Sequence, residues 1–158
     1  MSNYLCDLKE GETVPMEGPY GKFVIREPME KGVLFVATGT GIAPFRSQIN
    51  DLLKSGEAEG KDLWLFFGIR YETDILYQDE WKTLAEKYPN FHYIQTISRP
   101  KSWTGEKGYV QEKIKKFIQD PQGLDVYICG LPAMVEDVQK TCAEMGFPKE
   151  KVHFEKYV

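Results

Sequence analysis

The stretch GVLFVATGTGIAPF, residues 32–45, decides the fold of this 158-residue chain. It begins with an apolar run at residues 33–37, continues with two glycines separated by one residue, and places Pro44 shortly after them. A continuous apolar run is typical of a strand buried on both faces of a parallel sheet, and proline is well tolerated in the first turn of a helix. The stretch therefore predicts a strand, a tight glycine loop and a helix.

The same alternation continues to the end of the chain. Further apolar runs lie at residues 63–67, 91–97, 126–129 and 152–154. Between the runs, apolar residues recur at the spacing of one helix face, and the opposite face is charged. Strand–helix units closed by a last strand predict an α/β domain over residues 32–158, with an open, parallel, five-stranded sheet and helices on both faces.

The first part of the chain, residues 1–31, has a different pattern. Turn glycines dominate it, and only Val14 and residues 23–25 are candidates for short strands. At about 8–12 residues per strand, this length covers two or three strands at most, which is too few for an independent β domain. The segment either decorates the α/β domain or is the tail of a separate β domain.

Composition excludes several classes of function. The chain has 20 basic and 24 acidic residues, a net charge of −4, without a basic tract, which argues against nucleic-acid binding. The 3 cysteines are scattered and the 2 histidines, His92 and His153, lie far apart, so no disulfide framework, iron–sulfur cluster or metal site is indicated. We expect both histidines to be hydrogen-bonded structural residues. No apolar run could cross a bilayer and no secretory signal is visible, which predicts a cytoplasmic domain.

The glycine loop after the first strand has the chemistry of a diphosphate site. Glycines allow the backbone to approach a phosphate closely, and a helix N-terminus offers unpaired N–H groups with a partial positive charge. Hydroxyl groups of Thr38 and Thr40 add hydrogen-bonding capacity. The loop is not the G-x-G-x-x-G fingerprint, because Pro44 stands where the third glycine would be, and it lacks the lysine of a Walker loop. A tight turn without a ligand is the alternative.

Basic residues follow the next two predicted strands. Ser98 and Arg99 come directly after the third strand, and Arg70 follows the second. A guanidinium beside a hydroxyl suits a phosphate group, and the carboxyl ends of parallel strands form the ligand-binding edge of open α/β sheets. No acid directly follows Ser98 to bind a ribose hydroxyl, which favours NADP over NAD. The alternative is that these cations are ordinary surface residues.

Six groups of residues together resemble motifs of the ferredoxin–NADP reductase family. They are residues 38–47, similar to its pyrophosphate loop; residues 3–9 with 18–21, similar to the end of its FAD-binding barrel; Gly68 with Arg70, Asp74 and Tyr77, similar to the segment after its second strand; Ser98-Arg99 with Lys107, Tyr109 and Gln111, similar to its subsite for the adenosine 2′-phosphate; residues 129–134, similar to its cysteine–glycine motif beside the nicotinamide; and Glu155 with Tyr157, similar to its carboxyl end.

This resemblance implies the domain organisation and the function. Residues 1–31 would be the remnant of the FAD barrel, and residues 32–158 would be a Rossmann-like NADP(H)-binding domain. The whole protein would be an oxidoreductase that transfers electrons between NADP(H), FAD and a carrier such as ferredoxin or flavodoxin, with FAD largely bound by a domain absent from this chain. Trp103, Gly105 and Gly108 also resemble NADH-using cytochrome-b5-reductase-like and oxygenase reductases. A non-catalytic nucleotide-binding or regulatory module is a third alternative.

The resemblance also implies the site residues. Those expected to bind the dinucleotide are Thr38, Gly39, Thr40, Gly41, Ile42, Ala43, Pro44, Gly68, Arg70, Ser98, Arg99, Lys107, Tyr109, Gln111, Cys129, Gly130, Leu131 and Met134. Those expected beside the reacting rings are Thr40, Cys129, Glu155 and Tyr157. Tyr157 is followed by Val158 and is therefore not terminal, unlike the tyrosine of plant-type members.

Overall fold

Six parallel strands form one open sheet in this computed structural model, which describes residues 2–18 and 20–157. The strands are β1 (Gly32–Thr38), β2 (Asp62–Ile69), β3 (Phe91–Ile97), β4 (Glu106–Lys107), β5 (Leu124–Gly130) and β6 (Val152–Lys156). Their order across the sheet is β4-β3-β2-β1-β5-β6, and every neighbouring pair is parallel. The predicted parallel sheet is confirmed. The structure adds β4, whose 2 residues are too few to leave an apolar run in the sequence.

Five helices accompany the strands: α1 (Ser2–Asp7), α2 (Ile42–Ser55), α3 (Gln78–Lys87), α4 (Val110–Phe117) and α5 (Pro132–Met145). Helices α2 and α3 cover one face of the sheet, where Phe35 of β1 packs with Phe45 and Trp81. Helices α4 and α5 cover the other face, where Val36 packs with α4 and α5 side chains such as Ile114. Successive β1 side chains thus enter opposite cores, which explains why the strand is apolar without alternation. Among the described residues, no helix is long and apolar enough to span a membrane.

The first segment of the chain contains α1 and, among residues 2–18 and 20–31, no strand. The prediction of short strands there is therefore wrong. Side chains of other elements, rather than a neighbouring strand, make hydrogen bonds with some of the backbone groups of this segment. The Gln48 side-chain amide donates to the Phe23 carbonyl at 2.7 Å, and the Arg26 N–H donates to the Tyr127 hydroxyl at 2.8 Å. The segment runs along the α2 side of the sheet, with the Phe23 ring 5.9 Å from that of Phe45.

The order of the strands reverses at one place in the sheet, between the neighbouring strands β1 and β5. From β1 it moves outward through β2 and β3 to β4, and then it returns to place β5 on the other side of β1. The loops that leave β1 and β5 therefore diverge to different faces of the sheet. In open α/β sheets, this switch point is where a crevice forms for a ligand.

Glycines bring these two loops into backbone contact. A Cβ atom on Gly41 would lie 2.2 Å from the carbonyl oxygen of Cys129. A Cβ atom on Gly130 would lie 2.4 Å from Oγ1 of Thr38, and Gly130 also has a φ of +151°. A side chain at either position would push the loops apart, so both glycines are required by space, and Gly130 also by conformation.

The Gly41→Ala substitution should therefore destabilise the fold. Because the new methyl group would meet backbone rather than a movable side chain, we expect a loss of about 2 kcal/mol or more in the free energy of unfolding. Urea denaturation followed by circular dichroism measures this loss. Gly18→Ala is the matched control, since the nearest atom to a Cβ there is 3.8 Å away. Equal stability of the two variants would contradict the contact.

Candidate functional site

Every residue that the sequence predicts for the site lies at or just beyond the carboxyl edge of the sheet. Because all six strands are parallel, their carboxyl ends meet at this edge. From β4 to β6, each strand end carries one group of these residues. They are Lys107 and Tyr109 at the end of β4, Ser98 and Arg99 after β3, Gly68 and Arg70 at the end of β2, residues 38–44 at the end of β1, residues 129–134 at the end of β5, and Glu155 and Tyr157 at the end of β6. Three strand spacings, about 14 Å, separate the ends of β3 and β5. We call this edge the rim.

Two helix N-termini open onto the rim at the switch point. Helix α2 follows a single 3₁₀ turn at Gly39–Gly41, and its N-cap residue, Gly41, makes no side-chain capping bond. Helix α5 begins directly after β5, and its N-cap residue, Leu131, makes none either. Both helices have 14 residues. Their first N–H groups and partial positive charges favour a negatively charged ligand.

Thr38 presents a buried hydroxyl at the same place. Its Oγ1 atom has no hydrogen-bond partner within the described part of the chain. A buried hydroxyl that lacks a partner costs about 1–3 kcal/mol, so a ligand atom that bonds to it would remove that cost. The Gly68 backbone packs closely against Thr38, because a Cβ atom on Gly68 would lie only 3.2 Å from Cγ2 of Thr38. The loop thus has an unfilled polar position as well as helix N-termini.

Three cations extend the rim away from the switch point. The backbone N–H of Arg99 donates to the carbonyl of Arg70 at 2.9 Å, so these two arginines lie on adjacent chain segments. Lys107 is opposite Ile97 in the β3–β4 pair. The side chains of Arg70, Arg99 and Lys107 are exposed, and none forms an ion pair with another described residue. The cations are therefore available to an anion.

The residues beside these cations are a hydroxyl, an exposed ring and a partly buried amide. Ser98 Oγ donates to the Ile69 carbonyl at 3.3 Å. Tyr109 is 60% exposed, so one face of its ring is free to stack on a flat group. Gln111 is half-buried on α4. The arrangement can hold a phosphate and an aromatic base side by side.

On the other side of the switch point, Cys129 and Tyr157 contact each other. Cys129 is fully buried in the core cluster against which the Tyr157 side chain packs. The Tyr157 N–H donates to the carbonyl of Gly130 at 2.9 Å, which holds the end of the chain against β5. Glu155 is opposite Cys129 in the β5–β6 pair and is exposed. Met134, half-buried, lies against Gly130.

Burial controls the ionisation of this pair. It raises the pKa of the Cys129 thiol to about 11, partly offset by the neighbouring Tyr157 side chain. Burial also raises the pKa of Tyr157 to about 12. The thiol is therefore neutral at pH 7, which suits a packing surface and does not suit a nucleophile.

One residue of the rim gave no signal in the sequence. Glu72, two residues after Arg70, accepts hydrogen bonds at Oε1 from the backbone N–H groups of Lys101, Ser102 and Trp103, at 2.8, 2.8 and 2.9 Å. Its partners are 29 to 31 residues away, so no local motif could show them.

The two histidines lie away from the rim and differ from each other. The expectation of a hydrogen-bonded histidine is confirmed for His92, which is 3.1 Å from Oδ1 of Asp62 and stacks on the Trp64 ring at 4.1 Å. It is wrong for His153, whose Nε2 is buried without a hydrogen-bond partner among the described residues. The nearest carboxylate oxygen, on Asp125, is 3.8 Å away and the two groups do not bond.

The buried thiol should make the protein less stable in alkaline solution. Above pH 9 the unfolded chain loses the Cys129 proton while the folded chain keeps it up to about pH 11. The unfolded state then binds fewer protons, so the free energy of unfolding falls as pH rises through this window. The contribution of Cys129 is about 2–3 kcal/mol. Urea denaturation of the wild type and of Cys129→Ser at pH 8 and pH 10.5 measures it, and an equal fall in both proteins would contradict it.

Comparison with known proteins agrees with this geometry. Residues 35–140 match the family model of the oxidoreductase NAD-binding domain. The chain is 39% identical to ferredoxin–NADP reductase B of Sorangium cellulosum, over 99% of this chain and 66% of that protein. It is 30% identical to the phenol hydroxylase P5 protein of Acinetobacter pittii, over 96% of this chain and 43% of that protein.

A solved structure shows the same fold. The cytochrome b5 reductase domain of Ulva prolifera nitrate reductase superposes with a TM-score of 0.84 at 25% identity, over 98% of this chain and 64% of that one. The chain thus spans about half to two-thirds of the length of the relatives that it matches. It belongs to the oxidoreductase NAD-binding domain family, in the form found in ferredoxin–NADP reductases.

Proposed function

We propose that the chain is the NADP(H)-binding module of a flavin-dependent oxidoreductase. One observation carries the proposal: two helix N-termini without side-chain caps and three exposed cations, which pair with no acid in the described part of the chain, lie along a single rim, although the net charge of the chain is −4. A dinucleotide with a third phosphate needs anion-binding groups at two separate places. Residues 38–44 would hold the diphosphate, and the unbonded hydroxyl of Thr38 fits a ligand acceptor or donor there.

The cation cluster would bind the 2′-phosphate that distinguishes NADP from NAD. Arg99 can bind a phosphate with two N–H groups, while Arg70 and Lys107 add charge. Tyr109 would stack on the adenine. Ser98 and Gln111 would complete this part of the site. The acid closest in sequence to Arg70, Glu72, is bonded to backbone N–H groups and so does not neutralise the cluster.

The nicotinamide would lie beyond the switch point, against Cys129, Gly130, Leu131 and Met134. NADPH held there would supply a hydride to FAD, which would allow electrons to pass on one at a time to a carrier. This chain's part is to hold the ring and to exclude water from it. Cys129 is fully buried in this structure, so its neutral, polarisable thiol would support this position from within the core. Thr40, Glu155 and Tyr157 would surround the same position.

We assign FAD mainly to a β-barrel domain outside residues 32–158, and we assign residues 1–31 to that domain. Large apolar side chains at the surface of this segment support the assignment: Tyr4, Leu5, Met16, Tyr20 and Val24 are 58, 50, 91, 83 and 62% exposed. Five large apolar side chains that are at least half exposed within one short segment suit a surface that another protein part covers. Pro19 of the barrel-like motif, together with Met1 and Val158, lies outside the described residues.

The carrier partner and the location follow from the same proposal. The relatives named above include a ferredoxin–NADP reductase and a phenol hydroxylase component, and we propose a ferredoxin or flavodoxin as the electron carrier. We also propose a cytoplasmic location. Cys6, Cys129 and Cys142 are all free thiols, which suits a reducing compartment.

The NADH-binding half of an oxygenase or cytochrome-b5-type reductase is the second candidate. The similarity to the phenol hydroxylase P5 protein and to the Ulva prolifera domain favours it, as do Trp103, Gly105 and Gly108. Trp103 stacks closely on Gly105, since a Cβ atom there would lie 2.8 Å from its ring. The two candidates differ in the phosphate that the cation cluster would bind.

The Arg99→Ala substitution separates the two. If Arg99 binds the 2′-phosphate, the dissociation constant for NADP⁺ should rise about 30-fold or more, because a two-fold charge-assisted contact is lost. The dissociation constant for NAD⁺ should stay within about threefold. Isothermal titration calorimetry of both nucleotides against the wild type and the variant gives the answer.

Lys140→Ala is a matched control, because it removes an exposed cation from α5 at a position that no ligand in the proposal touches. Equal losses for NADP⁺ and NAD⁺ in Arg99→Ala would contradict the 2′-phosphate assignment. Tighter binding of NAD⁺ than of NADP⁺ by the wild type would favour the second candidate.

The isolated chain should bind the dinucleotide but carry no flavin. We expect it to purify without a yellow flavin spectrum and to show no diaphorase activity alone. Addition of a separately produced FAD-binding domain of a ferredoxin–NADP reductase should give NADPH-dependent dye reduction, with that domain alone as the control. A stoichiometric flavin spectrum on the isolated chain would contradict the assignment of FAD to another domain. Dinucleotide binding without any activity in the mixture would favour a non-catalytic module.

A further inference from the structure

Glu72 joins two loops of the rim that are distant in sequence. It belongs to the 3₁₀ turn Glu72–Asp74, just after β2. Its Oε1 atom accepts three backbone hydrogen bonds from Lys101, Ser102 and Trp103, in the loop after β3. A carboxylate that accepts several N–H groups makes strong, charge-assisted bonds. Backbone N–H groups lower the pKa of the Glu72 carboxyl: its own contributes most and that of Ser102 next, and those of Lys101 and Trp103 add to the effect.

The loop that Glu72 holds is the loop that carries Arg99. At its start, the N–H of Arg99 donates to the Arg70 carbonyl at 2.9 Å. At its end, the Trp103 ring N–H donates to the Glu106 carbonyl at 2.9 Å. Between these two bonds, Glu72 accepts hydrogen bonds from the backbone N–H groups of residues 101–103. Without it, the part of the loop between the two ends would have only water to satisfy three adjacent N–H groups.

The same bonds determine which groups the Glu72 carboxylate binds. An acid two residues from Arg70, in a turn beside Arg99, could pair with either arginine and occupy it. The structure shows no such ion pair among the described residues. Three N–H donors satisfy the carboxylate instead, so both guanidinium groups stay available to a ligand.

We propose that Glu72 is a positioning residue for phosphate recognition: by bonding to the Lys101–Trp103 backbone it places Arg99 for the 2′-phosphate of NADP(H), and it selects NADP(H) over NAD(H) without touching either. The inference rests on the proposed function, because it needs Arg99 to contact that phosphate. It makes Glu72 a determinant of nucleotide selectivity through the loop backbone that it holds.

Three variants of the full chain test the proposal. Glu72→Ala removes the acceptor and should weaken NADP⁺ binding about 10-fold. NAD⁺ binding should change by no more than about twofold. Glu72→Gln keeps an oxygen in the same place and should bind NADP⁺ within about threefold of the wild type. Glu86→Ala is the control for charge, since Glu86 is an exposed acid on α3 without a hydrogen bond or ion pair among the described residues. It should bind both nucleotides as the wild type does.

Coupling to Arg99 separates positioning from a general loss of structure. If Glu72 acts through Arg99, Glu72→Ala should cause no further loss of NADP⁺ affinity in an Arg99→Ala background. A full additional 10-fold loss there would overturn the proposal. So would a Glu72→Gln variant as weak as Glu72→Ala, or a Glu72→Ala variant that binds NADP⁺ normally while Arg99→Ala does not.

Hydrogen exchange gives a readout that needs no ligand. The amide protons of Lys101, Ser102 and Trp103 should exchange about tenfold faster in Glu72→Ala than in the wild type, and amides of β1 should be unchanged. Unchanged exchange at all three positions would overturn the inference and leave the proposed function intact. If Arg99→Ala itself binds NADP⁺ normally, both the proposed function and the inference fail.

Discussion

The backbone of the loop after β1 touches the backbone of the loop after β5, and the rest of the site depends on this contact. Gly41 leaves no room for even a methyl group beside the Cys129 carbonyl. The contact fixes the N-terminus of α2 next to that of α5, so two partial positive charges lie together at the switch point of the sheet. It also sets the distance between the diphosphate loop and the residues that would hold the nicotinamide.

Electrostatics then divides the rim into two functional parts. At the outer end, Arg70, Arg99 and Lys107 are exposed, lie on adjacent segments of one edge and form no ion pair with any described residue. At the inner end, Cys129 and Tyr157 are uncharged, and burial raises the pKa of both further above neutral pH. A charged outer subsite and a neutral inner one fit a ligand that is phosphorylated at one end and carries a flat reactive ring at the other.

Most helices and strands could be predicted because they follow regular, local sequence patterns. The features that could not be predicted depend on hydrogen bonds between residues distant in sequence. The apolar run of β1 and the helix stripe that includes Phe45 and Ile49 depend only on neighbouring residues, and the structure confirms both. The two residues of β4 become a strand only because β3 pairs with them, which no local pattern can show. Residues 23–25 have strand-like composition but form no strand. The side chains of Gln48 and Tyr127 make hydrogen bonds with backbone groups of Phe23 and Arg26 there.

The same distinction holds for the candidate site. The glycines and basic residues all lie at the carboxyl edge of the sheet, because each is at or near the end of a parallel strand; that they bind a dinucleotide stays a prediction. The hydrogen bonds of Glu72 could not be predicted from the sequence, since its three partners belong to the loop after a different strand. The unbonded hydroxyl of Thr38 was invisible as well, because an absent partner is a property of the folded chain alone.

A crystal structure of the chain soaked with NADP⁺ tests the central claim most directly. The account predicts the diphosphate against the backbone N–H groups of residues 40–43 and the adenosine phosphate in contact with the Arg99 guanidinium. A dinucleotide bound away from the rim, or one whose phosphates contact neither group, would contradict it.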